Sequence, residues 1–329
     1  MRKLLKIINR FVLFILTLFV ILSLIFIRPN ISKDKLEEDY FLDNSNYTEV
    51  TIKDLLNNDI TTTIHYQDLG EDNDPVVVLL HGTFSSSHTF NNWASDLVDE
   101  GYRVIMPDLP YFGLSEGFSD KITSYRRSAE VLKYILDKLS INSIHIAGNS
   151  LGGAIAWYFT SEYQIMVESL TLIDSVYPIE TENPEFFLER IKKYSAFSDL
   201  LALYTPKFLL KNILKTAYGN PDNISDIEIT RYYELLRKPG TRQALLSINR
   251  IDETIESYIN RLESITIPTY IMWGEKDTWI PVETVSLFEE TLNIPEENIY
   301  IYSELGHVPM EEDSQTTIQD YITILNSVN

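Results

Sequence analysis

The chain has 329 residues, of which 44% are hydrophobic and 23% charged, and its 27 basic and 48 acidic residues give a net charge of −21 at pH 7. The composition is close to that of ordinary globular proteins, which excludes disorder of the whole chain, and an acidic surface repels phosphate, which argues against nucleic-acid binding. Cysteine is absent, which excludes disulfides, thiolate catalysis and cysteine-ligated metal centres.

The N-terminal 28 residues have the opposite charge from the rest of the chain. They contain five basic residues and no acidic one, so the remaining residues have a net charge of −26. Residues 11–27 are uncharged, and apolar residues extend the hydrophobic segment to 4–27, within the length of about 17–25 residues that a membrane-spanning helix needs. The run ends without a small-residue cleavage site, so we expect residues 1–28 to be a basic flank and an uncleaved signal anchor rather than a cleaved signal peptide. The positive-inside rule then predicts a single-pass protein of the cell membrane, with a cytoplasmic N-terminus and the large domain that follows outside the cytoplasm.

The next segments predict a linker followed by a sheet. Residues 29–49 are polar and acidic and are expected to form a linker. From about residue 50, short β-rich runs alternate with longer amphipathic stretches, which predicts an α/β fold with a mostly parallel, doubly wound sheet. The run at Val76–Leu80 is apolar without alternation, as expected for a strand that is covered on both faces. The predicted strands are 60–66, 76–80, 103–106, 144–147, 170–173, 269–273 and 298–302.

One long segment interrupts this alternation. Residues 174–268 are 95 residues between consecutive predicted strands, far more than a simple crossover needs. We therefore expect 174–268 to be a helical cap on one end of the sheet, and 50–173 with 269–329 to form the core. Helical patterns within the cap lie at 185–194, 206–217, 227–236 and 242–262.

The strongest chemical motif is Gly-Asn-Ser-Leu-Gly at 148–152, which follows the predicted strand 144–147 and opens a helical run. A serine on such a tight strand-to-helix turn is exposed at the carboxyl end of the sheet. Side chains at Gly148 and Gly152 are expected to collide across this turn. The helix N-terminus supplies N–H groups and partial positive charge for an oxyanion. We therefore interpret Ser150 as a nucleophile, in preference to a turn that only connects two elements.

A serine hydroxyl needs a base that takes its proton, and the chain has five histidines. His307 follows the last predicted strand, on a loop at the carboxyl end, where catalytic groups gather in open parallel sheets. We predict His307 as the base, with His88 as the alternative. We expect His145 to lie in the core, His65 in an early strand, and His81 to brace a loop.

The base in turn needs a carboxylate that orients it. Asp277 follows the sixth predicted strand and lies on a loop next to that of His307. Asp174, at the end of the fifth predicted strand, is the competing candidate, and we favour Asp277. Glu275 and Glu311 lie near these residues in the sequence and are expected to be solvated.

An oxyanion also needs two N–H donors. One is the backbone of Leu151, directly after Ser150. The other is expected from the loop after the strand 76–80, where Gly82 lets the backbone turn in towards the serine and Thr83 is best placed to donate. This loop has one glycine and no lysine, so it does not predict a phosphate site.

With these residues the chain resembles the α/β-hydrolase superfamily over about residues 50–329. The matching segments, in the order and spacing of the family, are HGTF at 81–84, PDLPYFGLS at 107–115, GNSLGG at 148–153, WGEKD at 273–277 and GH at 306–307.

The resemblance implies a role for each matching position. It implies Ser150 as the nucleophile, Asp277 as the acid and His307 as the base, with Thr83 and Leu151 as the oxyanion donors and 174–268 as the cap.

The same resemblance bears on neighbouring positions. It implies that Asp108 braces backbone. Tyr111 stands where this loop usually has glycine, which we expect to alter access at one rim. The serine nucleophile argues against the dehalogenases and epoxide hydrolases of the family, which use aspartate.

The sequence therefore predicts a membrane-anchored serine hydrolase that cleaves small carboxylic esters of moderately hydrophobic acids through an acyl-enzyme, like an esterase or lipase. Hydrolysis of C–C bonds, lactones or amides uses the same triad and stays open. A non-catalytic ligand-binding protein on the same scaffold is the alternative of another class. We expect no cofactor and no metal.

Overall fold

The structure is a computed structural model and describes residues 2–54, 56–179, 205–247, 249–250 and 253–328. Its strands in these residues are β1 (Ser45–Lys53), β2 (Asp59–Leu69), β3 (Val76–Leu80), β4 (Arg103–Pro107), β5 (Ile122–Thr123), β6 (Ile144–Asn149), β7 (Val167–Ile173), β8 (Asn249–Arg250), β9 (Thr269–Gly274) and β10 (Ile299–Tyr302). Its α-helices there are α1 (Arg2–Phe26), α2 (Lys33–Tyr40), α3 (Asn91–Asp99), α4 (Tyr125–Lys138), α5 (Leu151–Glu162), α6 (Lys207–Lys215), α7 (Asp226–Leu236), α8 (Thr241–Ser247), α9 (Ile255–Glu263), α10 (Thr284–Leu292), α11 (Pro309–Glu312) and α12 (Ser314–Val328).

An eight-stranded sheet forms the centre, in the order β1-β2-β4-β3-β6-β7-β9-β10. The pairs β1–β2 and β2–β4 are antiparallel, and the pairs from β4 to β10 are parallel. The mostly parallel sheet is thus confirmed, and every predicted strand is present. The carboxyl ends of the parallel strands lie at one edge of the sheet, where ligands bind in open α/β folds.

The core lies on both faces of the sheet because its central strands are apolar throughout. Every residue of β3 is buried. Val76, Val78 and Leu80 pack into the hydrophobic cluster that contains α4 and α5. Val77 and Leu79 pack into the opposite cluster, which contains α3 and α12. Because successive side chains of the strand point to opposite faces, β3 packs against helices on both sides of the sheet.

The range 29–49 is not the linker that its polarity predicts. It contains α2 and the first half of β1. Ser32 begins α2 as its N-cap, since its side chain accepts a hydrogen bond from the backbone N–H of Lys35. Leu36 is buried against Leu114 of the core and Leu235 of the cap. This apolar contact joins an otherwise polar segment to both the core and the cap.

The described residues of the cap range 174–268 contain four α-helices, α6 to α9, and the short strand β8. The predicted helices at 206–217 and 227–236 correspond to α6 and α7, while the one predicted at 185–194 lies outside the described residues.

The single helix predicted at 242–262 is wrong, because the structure has α8 and α9 there, with β8 between them. Thr254 begins α9 as an N-cap, its side chain accepting from the backbone N–H of Ser257. The helical spacing of apolar residues continues across this N-cap, so the sequence pattern does not show that one helix ends and another begins there.

Helix α1 covers nearly all of the range 4–27 in which the sequence predicts an anchor. Among the residues that the structure describes, no helix combines the length and apolar character needed to cross a bilayer. The predicted transmembrane helix is therefore not confirmed.

Candidate active site

Ser150 lies on the turn between β6 and α5 in a strained backbone conformation, with φ 55° and ψ −117°. Hydrogen bonds on both sides hold this conformation. Its N–H donates to the carbonyl of Ile173 over 3.0 Å, and its carbonyl accepts from Ala154 over 3.1 Å and from Val176 over 3.2 Å. The turn is thus anchored to the end of β7 and to its own helix.

The glycines around Ser150 are required for steric reasons. A Cβ at Gly148 would lie 2.3 Å from the carbonyl oxygen of Gly152, which is the predicted collision across the turn. A Cβ at Gly152 would instead lie 2.1 Å from the carbonyl oxygen of Leu80 in β3. The prediction is therefore confirmed for Gly148, whereas Gly152 is required by the neighbouring strand.

His307 and Asp277 form a buried hydrogen-bonded pair, with 2.6 Å between Nδ1 and Oδ2. The other oxygen of Asp277 accepts from the backbone N–H of Trp279 over 2.7 Å and of Ile280 over 3.0 Å. The carboxylate is therefore fixed by its own loop. Because Nδ1 carries the hydrogen in this bond, Nε2 is left as the basic nitrogen of a neutral ring.

Asp174, the competing acid, does not replace Asp277. It lies at the end of β7 with φ 42° and is fully buried. Its Oδ1 accepts from the backbone N–H of Gly274 over 3.0 Å. Burial, and then the negative charge of Asp277, raise the pKa of Asp174 well above its ordinary value. The carboxyl group that is hydrogen-bonded to His307 in this site is that of Asp277.

Asn149 connects the Ser150 turn to the His307 loop. Its Nδ2 donates to the carbonyl of His307 over 2.8 Å and to that of Ile173 over 3.3 Å. In the sequence, Asn149 stands out only as part of the Gly-Asn-Ser-Leu-Gly motif. Its position directly before the serine is the one local signal that points to this role.

The predicted oxyanion donors lie at the same edge of the sheet. A Cβ at Gly82 would lie 2.9 Å from Asn149 Oδ1 and 3.0 Å from Ser150 Cβ, so this loop approaches the serine as predicted. Leu151 is the first residue of α5, and the first N–H groups of a helix have no partner inside it. Thr83 lines the same pocket as His307.

This pocket lies between the core and the cap. The core contributes residues of the loops described above, including Trp279, whose ring lies 5.0 Å from that of His307 between centroids. The cap contributes Leu214, Ala217, Tyr218 and Tyr232. The described part of the cap therefore presents two apolar side chains and two tyrosines to this pocket.

Both tyrosine hydroxyls bond to Glu311, for which the sequence predicts a solvated side chain. Tyr218 donates to Oε2 over 2.8 Å and Tyr232 over 3.2 Å. Arg231 pairs with the other oxygen, and the Glu311 side chain is only 4% exposed. The expectation of solvation is therefore wrong, because the cap covers this carboxylate. No local pattern in the sequence indicates that packing.

A second buried network braces the loops behind the site. Asp108 accepts from the backbone N–H groups of Ser87 and Leu114, each over 2.7 Å, and lies 2.7 Å from His65 Nδ1. Burial alone would raise the pKa of Asp108, but the charge and hydrogen bond of His65 outweigh it and hold the pKa below its ordinary range. His81 Nε2 accepts from the backbone N–H that follows Asp108, over 2.9 Å. The predicted bracing roles of Asp108 and His81 are confirmed.

His88, the alternative base, is buried. Among the described residues, no carboxylate lies within hydrogen-bond distance of its ring. Burial lowers its pKa to about 4. Its ring lies 5.8 Å from that of Tyr40 between centroids. A histidine in this setting is a neutral packing residue.

His145 is buried as predicted, with Nδ1 2.8 Å from Ser169 Oγ.

Tyr111 adopts the left-handed conformation that glycine usually supplies, with φ 77°. Its hydroxyl donates to the carbonyl of Phe118 over 3.0 Å. Its own carbonyl accepts from Thr241 Oγ1 in α8 over 2.8 Å. The residue therefore connects the core to the cap, and its expected effect on access stays a prediction.

Asp174, Asp277 and His307 are the one group of three ligand-type side chains found close together in the described residues, with one atom of each within 4.8 Å of the others. The 2.6 Å separation between His307 Nδ1 and Asp277 Oδ2 is a donor–acceptor distance. Nδ1 therefore carries a hydrogen and has no lone pair for a metal. The three side chains therefore fit an acid–base pair, His307 with Asp277, beside a second buried carboxyl group, that of Asp174.

Comparison with known proteins agrees with this geometry. The sequence model of the alpha/beta hydrolase fold matches residues 75–314. A 2-hydroxy-6-oxononadienedioate/2-hydroxy-6-oxononatrienedioate hydrolase of Pseudomonas sp is 26% identical over 271 residues, which cover 77% of this chain and 88% of that one. Lipase 1 of Psychrobacter immobilis is 27% identical over 259 residues, which cover 74% and 75%. The crystal structure of a candidate lipase from Acinetobacter baumannii AYE superimposes with a TM-score of 0.70 at 26% identity, covering 92% of this chain and 98% of that chain.

Proposed function

Because the chain belongs to the alpha/beta hydrolase fold family and is a hydrolase, we propose that it is a serine hydrolase that cleaves carboxylic esters through an acyl-enzyme. The observation that carries the proposal is the buried bond between His307 and Asp277 at the edge where Ser150 sits on its strained turn. Ser150 is the nucleophile, His307 the base and Asp277 the orienting acid. Thr83 and Leu151 supply the oxyanion donors.

The first half of the reaction acylates the serine. Ser150 Oγ attacks the carbonyl carbon while His307 Nε2 takes the hydroxyl proton. The carbonyl π electrons move to oxygen, and the N–H groups of Thr83 and Leu151 bind this oxyanion. Collapse of the tetrahedral intermediate breaks the ester C–O bond, and His307 returns the proton to the departing alkoxide.

The second half releases the acid. Water gives a proton to His307 and attacks the acyl-enzyme carbonyl, and collapse returns the proton to Ser150. Asp277 keeps the imidazole in the orientation that both halves need and stabilises its charged form. The N-terminus of α5 adds a partial positive charge beside the oxyanion.

We propose moderately hydrophobic acyl groups as substrates. The apolar residues that the cap contributes to the pocket, Leu214 and Ala217, support this class, as does the similarity to Lipase 1 of Psychrobacter immobilis.

The second candidate function is C–C bond hydrolysis with the same three residues. The similarity to the 2-hydroxy-6-oxononadienedioate/2-hydroxy-6-oxononatrienedioate hydrolase of Pseudomonas sp favours it.

A serine-directed fluorophosphonate probe tests the nucleophile. We expect the wild type to be labelled and Ser150→Ala to lose labelling, with turnover lower by about 10⁶-fold if the triad acts as a unit. Ser286→Ala, in the exposed part of α10, is the matched control and should label like the wild type. A folded wild type without labelling would favour the non-catalytic binding protein.

Two kinds of substrate separate ester hydrolysis from C–C hydrolysis. Acyl esters of increasing chain length report the preferred acid, and 2-hydroxy-6-oxononadienedioate reports C–C hydrolysis. Faster turnover of the dienedioate than of every ester would overturn the ester proposal and leave the serine mechanism intact.

On localisation, the proposal from the sequence is attachment to the cell membrane through residues 4–27, with the hydrolase outside. The uncharged run and the basic residues before it support this proposal. So do the exposed apolar side chains of α1, such as Phe11 at 64% and Phe19 at 63%. Protease treatment of intact cells tests it. Full protection of the hydrolase would refute the orientation, and recovery in the soluble fraction would refute the attachment.

A further inference from the structure

A short cap segment, residues 216–220 after α6, hydrogen-bonds to both catalytic loops. The backbone N–H of His307 donates to the carbonyl of Ala217 over 2.6 Å. Thr278, directly after Asp277, donates from Oγ1 to the carbonyl of Thr216 over 2.9 Å. The 216–220 segment therefore contacts the loop of the base and the loop of the acid.

Trp279 adds a third bond to the same segment. Its Nε1 donates to Thr216 Oγ1 over 2.8 Å. The same side chain lies with its ring 5.0 Å from the His307 ring between centroids. The cap thus sets the position of a residue that packs directly on the imidazole.

Glu312 holds the other end of the 216–220 segment. Its Oε2 accepts from the backbone N–H of Gly219 over 2.8 Å and from that of Gly306 over 2.9 Å. Its Oε1 accepts from the backbone N–H of Asn220 over 2.7 Å and from Asn223 Nδ2 over 3.3 Å. One carboxylate therefore joins the cap to the residue that directly precedes His307, through bonds that its charge strengthens.

The two backbones joined by Glu312 are also in close contact. A Cβ at Gly306 would lie 2.4 Å from the carbonyl oxygen of Ala217. The His307 loop therefore rests on the cap segment and cannot move towards the cap without displacing it.

We propose that Glu312, together with the 216–220 segment, is a positioning element that holds His307 and Asp277 in register with Ser150. Glu312 accepts only N–H groups of the protein itself among the described residues, so it acts through His307 and is not a catalytic residue. The inference rests on the proposed function, since it assigns a way of positioning the same base. Its physical basis is that a displacement of about 1 Å in a catalytic group lowers the rate by about 10²-fold.

The first test is Glu312→Gln, which keeps the shape but replaces one accepting oxygen by an amide that cannot accept. We expect kcat to fall about 10- to 100-fold, with KM within about twofold, because the loss affects alignment and not substrate binding. The rate of fluorophosphonate labelling should fall by the same factor.

Glu304→Gln is the matched control. Glu304 lies two residues before Gly306, and its side chain is 79% exposed and pairs with Lys276 on the surface. The same chemical change at this position should leave kcat, KM and the labelling rate unchanged.

A second variant covers the case in which Glu312→Gln does not fold. Thr216→Val with Thr278→Val removes two bonds between the 216–220 segment and the Asp277 loop, without changing charge. We expect kcat to fall about three- to tenfold at unchanged KM.

Wild-type kcat in either folded variant would overturn the inference, and so would a raised KM at unchanged kcat. Failure of the proposed serine mechanism is a separate result, because the wild type itself would then show no labelling. The low-field proton resonance of His307 Nδ1–H gives a readout that needs no activity. We expect it to broaden or shift in Glu312→Gln and to stay in place in Glu304→Gln, and an unchanged resonance in Glu312→Gln would also overturn the inference.

Discussion

The buried carboxyl groups of Asp174 and Asp277 lie side by side, with one oxygen of each and one ring nitrogen of His307 within 4.8 Å of one another. Asp277 uses both oxygens, for His307 and for two backbone N–H groups. Asp174 Oδ2 has no hydrogen-bond partner among the described residues. Two carboxylates this close repel each other, so the charge of one raises the pKa of the other. Burial, and then the charge of Asp277, raise the pKa of Asp174, so Asp174 holds a proton more tightly than an ordinary aspartate.

The variant Asp174→Asn tests this protonation state. Because the pKa of Asp174 is raised in the folded protein, the folded state binds the proton more tightly than the unfolded one. Stability of the wild type then falls as the pH rises above the unfolded value, about 3.9, until the folded pKa is reached. Asparagine keeps the Oδ1 acceptor for Gly274 and has no acid to ionise. We therefore expect the Tm difference, variant minus wild type, to increase with pH above about 4, and a pH-independent difference would contradict the assignment.

Asn149→Ala tests the connection between the serine turn and the base. The variant loses the bond from Nδ2 to the His307 carbonyl, which is 2.8 Å long in the structure. We expect kcat to fall about tenfold or more, with KM little changed, because the His307 loop is less firmly held. Asn142→Ala, an exposed asparagine before β6, is the control. Equal kcat in the two variants would show that the bond has no part in alignment.

His307→Ala and His88→Ala separate the two candidate bases. His307 has the buried carboxylate partner, and we expect its removal to lower kcat by about 10⁶-fold. His88 is buried and has a pKa of about 4, so its imidazole is uncharged near neutral pH. Its removal should lower stability through lost packing and leave kcat within severalfold. A larger loss of kcat in His88→Ala than in His307→Ala would reverse the assignment.

Gly82→Ala tests the oxyanion loop. The added Cβ would lie 2.9 Å from Asn149 Oδ1 and 3.0 Å from Ser150 Cβ, so the loop must move away from the serine and take the Thr83 N–H with it. We expect kcat to fall by about 10²–10³-fold, the usual loss for one oxyanion donor.

The control for this variant is Gly101→Ala. Gly101 has φ 85° and no atom within 4 Å of the added Cβ, so the change strains the backbone but leaves the site alone. We expect a lower Tm with unchanged kcat. A kcat for Gly82→Ala equal to that of Gly101→Ala would remove Thr83 from the oxyanion site.

Much of the fold follows from local pattern. The buried strands β3, β4 and β6 are predictable because parallel strands covered on both faces are continuous apolar runs. Strand β1 is not, since two of the residues that it buries, Ser45 and Thr48, are polar. Its antiparallel pairing with β2 reaches from Lys53 and Asp59 at the turn to Ser45 and Gln67.

The sequence by itself determined which residues can carry the chemistry. A serine between tightly packed glycines, and an aspartate and a histidine directly after strands, are local features, because the turn at the end of each parallel strand is set by its own few residues. The tertiary structure decided how these residues are paired and held. It bonds His307 to Asp277 while Asp174 lies beside them, and it bonds Glu311 and Glu312 to a cap that begins far from them in the chain. The bonds of Glu311 and Glu312 to the cap join residues about 80 or more positions apart, and they exist because packing brings the cap onto the edge of the sheet.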